Sequence, residues 1–169
     1  MIKNLAPLFA ILAISFLSYG QDTSQLKRTP YKLTVAVDKK NVYEEDIPAT
    51  PFVLPDESIQ LYPGETVYIE VKQGNGVIKG MTAVREIADP SKTLTISFTQ
   101  TANKKVHELM MLKITNPFPR KLIYRATIFL LQQKKWNETN VYPVEAGLAG
   151  IETWPDIIIS IGLGGWKFE

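Results

Sequence analysis

The feature that most restricts the fold is a period of two in the apolar residues, cut at short intervals by residues that turn the chain. Tyr31, Leu33, Val35 and Val37 alternate with Lys32, Thr34, Ala36 and Asp38, which gives an extended strand one apolar face and one wet face. Val67, Ile69 and Val71 do the same between Thr66, Tyr68, Glu70 and Lys72, as do Leu94, Ile96 and Phe98 between Thr93, Thr95, Ser97 and Thr99. Leu109 to Thr115 and Leu122 to Leu131 are apolar on both faces, which suits the middle of a sheet or a covered face. Pro63-Gly64, Asn75-Gly76, Asp89-Pro90-Ser91 and Asn116-Pro117-Phe118-Pro119 separate these runs, with Asn-Gly supplying the positive backbone angles of a tight hairpin. The pattern predicts an all-β, antiparallel, two-sheet sandwich of about seven to nine strands. A closed barrel is the other way to satisfy it.

Within that pattern, Pro63-Gly64-Glu65-Thr66-Val67-Tyr68-Ile69-Glu70-Val71 resembles the entry to the second strand of many immunoglobulin-like domains. Met111 to Asn116, followed by Leu122 to Ala126, resembles a strand pair of the immunoglobulin-like domains of periplasmic chaperones. The resemblance implies an immunoglobulin-like sandwich and no more. The inter-sheet cysteine pair of antibody domains and the paired basic anchors of pilus chaperones are both missing, so no functional residue carries over.

The first twenty residues have a different composition. Lys3 leads into an apolar stretch from Leu5 to Tyr19, with small residues at Ser18 and Gly20. This reads as a cleavable secretory signal over residues 1–20, leaving one domain over residues 21–169. A spanning helix is the rival, but it needs roughly 20 apolar residues and this run is shorter and holds Pro7. The expected location is periplasmic or secreted. Cysteine is absent, so the fold stands on packing alone and lipid attachment through a cysteine is excluded.

Without the leader the chain carries 18 Lys and Arg against 17 Asp and Glu. Such balance argues against nucleic acid, which draws on a concentrated cationic surface. The basic pairs Lys39-Lys40, Lys104-Lys105, Arg120-Lys121 and Lys134-Lys135 are scattered along the chain and read as solvated turns and strand ends. Asn41 to Pro55 holds Glu44-Glu45-Asp46 and three prolines, and reads as an acidic surface connection or a broken edge strand.

Catalytic constellations are scarce. His107 is the only histidine, no Gly-x-Ser-x-Gly turn presents a serine, and His107 reads as a strand-end residue. One histidine without cysteine leaves zinc, copper or haem almost no ligands, and the acids of residues 44–57 lack the spacing of a calcium loop. Glu145, Glu152 and Asp156 are candidates for a carboxylate-pair hydrolase by their presence only. Gly74 to Gly80 and Gly162 to Gly165 miss the phosphate-loop spacings and read as turns. Asn137-Glu138-Thr139 matches a glycan acceptor sequence.

Aromatics remain. Trp136, Tyr142, Trp154 and Trp166 crowd the last quarter, either as a platform that stacks on a sugar or an apolar peptide, or as a plug for one end of the sandwich. The expectation is an exported, non-catalytic binding or structural module with no cofactor and no membrane span in the mature chain. Its contact is an envelope protein or peptide, or alternatively a polysaccharide held by those four aromatics.

Overall fold

The computed structural model describes residues 25–169; the leader expected over residues 1–20 lies outside them. The strands are β1 (Tyr31–Ala36), β2 (Val42–Ile47), β3 (Ile59–Leu61), β4 (Glu65–Gly74), β5 (Val77–Val84), β6 (Thr93–Asn103), β7 (Val106–Thr115), β8 (Leu122–Leu130), β9 (Lys135–Thr139), β10 (Ala149–Trp154) and β11 (Ile158–Phe168). All pairings are antiparallel, in a five-stranded sheet β10-β7-β6-β4-β5, a four-stranded sheet β3-β11-β8-β9 and a hairpin β1-β2. No helix of the described residues is long and apolar enough to cross a membrane.

The alternation builds the interior. Val67, Ile69, Val71, Leu94, Ile96 and Phe98 of the five-stranded sheet join Tyr124, Ala126, Ile128, Ile161 and Leu163 of the four-stranded sheet in one apolar cluster. Each fully buried Leu, Ile or Phe contributes about 1.5–3 kcal/mol, and in a chain without disulfides this burial is the main source of stability. A second cluster lies on the other side of the four-stranded sheet, where Leu33, Val35 and Ile47 of the hairpin pack on Ile157, Ile159, Tyr62, Phe129 and Leu131. The hairpin therefore covers part of that sheet's outer face and leaves the rest bare.

Several expectations are corrected. Eleven strands form among the described residues, two above the expected range. The segment read as an acidic surface connection or a broken edge strand holds the edge strand β2, unbroken and paired in full register with β1, and Glu44, Glu45 and Asp46 lie exposed along it. Gly162 to Gly165 is no turn: β11 runs through it for 11 residues, with a register shift between Gly164 and Lys167. The two strands resembling a chaperone strand pair, β7 and β8, belong to different sheets. Gly74 to Gly80 does turn, at Asn75 and Gly76, whose φ angles of 54° and 74° are the left-handed pair that a two-residue hairpin needs.

Candidate functional site

The bare half of the four-stranded sheet is an open groove of about 1040 Å³. Along β11 the inward positions stay apolar, Ile161 and Leu163. The outward ones change from Ile159, covered by the hairpin, to Gly162 and Gly164 beyond its reach. Glycine leaves depth there without exposing apolar surface to water, so the floor is backbone and the walls come from neighbouring strands.

Register places those walls. Gly162 lies opposite Gln60 on β3 and Thr127 on β8, and Thr127 lies opposite Glu138 on β9. Trp136 pairs with Phe129, their rings meeting edge to face at 5.6 Å, and its indole reaches across β8 until a Cβ on Gly162 would sit 3.8 Å from Cζ3. Phe129 is packed by the hairpin cluster, so the indole is braced while 47 % of Trp136 stays exposed. Arg125 lies opposite Gly164. Its Nε occupies the space a side chain on Gly165 would need, 2.7 Å from the Cβ position, and Gly165 takes a φ of 65°. Among the described residues Arg125 makes no ion pair. On the β3 side, Asp56 Oδ1 accepts from Ser58 N at 3.1 Å and from Ser58 Oγ at 2.6 Å. These two bonds hold the Asp56 carboxyl below its usual range.

The groove thus offers one apolar ring face together with donors and acceptors on both walls. Its Asp56 is held as the anion by its own turn, the reverse of the raised carboxyl that sugar hydrolysis requires. The acids singled out by sequence lie outside it. Glu145 pairs with Lys121 at 3.0 Å, Glu152 accepts from Tyr142 N at 2.7 Å, and Asp156 is exposed in the β10–β11 turn.

The four aromatics are divided between environments. Trp136 lines the groove, and Tyr142 is 80 % exposed on the loop that follows β9. Trp154 and Trp166 turn toward the main core, Trp154 donating from Nε1 to Thr139 Oγ1 at 3.0 Å and Trp166 stacking on Tyr124 at 5.5 Å. No two of the four stack on each other among the described residues. His107 starts β7, and both ring nitrogens are engaged: Nδ1 meets Gln100 Nε2 at 2.9 Å and Nε2 meets Pro155 O at 3.0 Å. The carbonyl accepts only from an N–H, so Nε2 carries the proton and Nδ1 accepts from the amide. Sequence reasoning missed Arg125, Thr127 and Gln60, and weighed Asp56 only as an acid lacking calcium-loop spacing; the one signal pointing to them was the outward switch from isoleucine to glycine in β11. Comparison with family models, with curated proteins and with solved structures found no match.

Proposed function

We propose that this protein is an exported, non-catalytic binding module of immunoglobulin-like character that holds a carbohydrate chain in the groove. The observation that carries this reading is the braced, half-exposed Trp136 beside a glycine floor, with Arg125, Thr127, Glu138 and Asp56 around it. A sugar ring has an apolar C–H face that packs on an indole and hydroxyls at its rim that need polar partners. A groove of about 1040 Å³ has room for a chain longer than one ring. The place of action is the periplasm or the exterior.

Addition of a peptide strand to a sheet edge is the second reading, and one observation favours it: β9, bordering the groove, pairs only with β8. Two other edges, those of β1 and β3, are partly covered, while β2, β5 and β10 also have one partner each. Gln100 exchanges two 2.8 Å hydrogen bonds with Ala36 on β1, and Phe52 to Leu54 lies against β3.

Affinity electrophoresis through soluble β-glucan, xylan and galactomannan tests the proposal. At least one should retard the protein, and Trp136→Ala should weaken that retention by about 2 kcal/mol, roughly thirtyfold. Gly164→Val should abolish it without unfolding the chain, because a Cβ there meets only Ser58, its Cβ at 3.6 Å and its Cα at 3.9 Å, both ordinary contacts. Full retention by Trp136→Ala, or retardation by no polysaccharide together with capture of an extended peptide, would overturn it.

A further inference from the structure

Three of the four basic pairs that look scattered in sequence meet at one end of the molecule. The β1–β2 tip is joined to the β6–β7 tip by His107 N donating to Val37 O at 3.4 Å. The β6–β7 tip is joined to the β10–β11 turn by His107 Nε2 donating to Pro155 O at 3.0 Å, and that turn to the β8–β9 turn by Leu131 N donating to Ile157 O at 3.0 Å. Four turns thus form one continuous rim. It carries Lys39 and Lys40, Lys104 and Lys105, and Lys134 and Lys135, all exposed. None of the six makes an ion pair among the described residues. The acids nearby are Asp38, Glu108 and Asp156, and the Asp38 carboxylate already accepts from Lys40 N, Asn41 N and Asn41 Nδ2. The rim is therefore positive on a chain that is nearly neutral as a whole.

A second observation is independent of charge. Among the described residues five other than glycine adopt a positive φ, and three of them are rim lysines: Lys104 at 47°, Lys105 at 70° and Lys134 at 52°. Asn and Gly take this conformation more readily. Lysine stands at these positions against the local backbone preference, a cost that a role of the side chain outside the fold would explain.

We infer that this end is an electrostatic docking surface for a bilayer rich in anionic lipid headgroups. The charges are ammonium groups on long flexible stems, spread over separate turns, and they line neither the groove described above nor the shallower one beside β4. A polymer of negative charge needs a track, and a single phosphate needs converging donors. A charged plane needs only that the cations share one side of the molecule. Val42, 48 % exposed beside the β1–β2 tip, adds an apolar contact at the headgroup boundary. None of the six lysines lines the groove, so the inference does not depend on what the groove holds.

The test is sedimentation of the full chain, as its host processes it, with phosphatidylcholine vesicles with and without phosphatidylglycerol. Binding should require the anionic lipid and fall as salt shortens the screening length from about 10 Å to about 3 Å. Replacing the six rim lysines by glutamine in pairs should lower the partition coefficient by up to about fivefold per lysine. Lys72→Gln and Lys113→Gln, on strands away from the rim, should leave it unchanged. Replacing Lys104-Lys105 by Asn-Gly should lower binding while raising the unfolding temperature, which separates lost contact from lost fold. Equal binding to neutral vesicles, indifference to the six-lysine variant, or preferential capture by soluble dextran sulfate over lipid would overturn the inference.

Discussion

At the scale of single residues, the most consequential side chain is one with an unremarkable sequence context. Arg28 follows Leu26-Lys27 and is only 3 % exposed. Its Nε lies 2.8 Å from Glu65 Oε1, Nη2 donates to Gln60 O at 2.8 Å, Nη1 donates to Thr50 Oγ1, and the guanidinium sits over the rings of Phe52 and Tyr62 at 4.6 and 5.1 Å. Glu65 is satisfied in turn, Oε1 also accepting from Tyr31 OH at 3.1 Å and Oε2 from Tyr62 N at 2.9 Å. The cluster fastens the first described segment to β1, β3 and β4. A buried ion pair is expensive to break from one side, because the remaining charge stays unpaired. Glu65→Ala should therefore destabilise the protein by about 3–5 kcal/mol, while Arg28→Met with Glu65→Leu should lose less than the sum of the two single changes. Urea unfolding measures both, and strict additivity would count against coupling. Nothing in a single sequence flags this pair, since its partners lie 22 to 37 positions apart.

At the scale of elements, strands with clean alternation were legible and those without it were not. β4 and β6 bury every second residue, and the pattern on the chain was the pattern in space. The segment of β2 was left between a connection and a broken edge strand because Glu44, Glu45 and Asp46 break the alternation. It has a partner on one side only, and an open edge lined with like charges resists pairing with another copy of itself. β11 was cut short because Gly162, Gly164 and Gly165 look like punctuation; they are strand residues whose missing side chains shape the groove. The β6–β7 turn shows the converse, with lysines where Asn-Gly fits best. Placing Asn-Gly at 104–105 should raise stability by about 1 kcal/mol, read as an upward shift of the urea midpoint at constant slope. An unchanged or lowered midpoint would show that the two lysines hold the tip by contacts of their own.

At the scale of the whole molecule, phenols bias stability with pH. Burial is the first cause that raises Tyr31, Tyr62 and Tyr124, reinforced at Tyr31 by the Glu65 charge, and it pushes Tyr43 up to about 12. Unfolded tyrosines ionise near pH 10, whereas these keep their protons in the fold. Stability is therefore complete below about pH 10 and falls as pH rises beyond it, at up to about 1.4 kcal/mol per pH unit for the buried Tyr124. Urea midpoints taken from about pH 9 to about pH 11 should decline, and Tyr124→Phe should flatten the decline. A midpoint constant across that range would contradict the assignment.

What the sequence determined by itself was the class of fold: antiparallel strands, one apolar interior, and turns at Pro63-Gly64, Asn75-Gly76 and Asn116 to Pro119. These follow from period and backbone preference, which act over a few residues and are written locally. Which half of a sheet face is covered by a hairpin, where Trp136 finds its glycine floor, and that Lys39, Lys104 and Lys134 share one rim were decided only by tertiary structure. Each of these joins positions separated by tens of residues, and a linear pattern holds no record of which distant segments pack together.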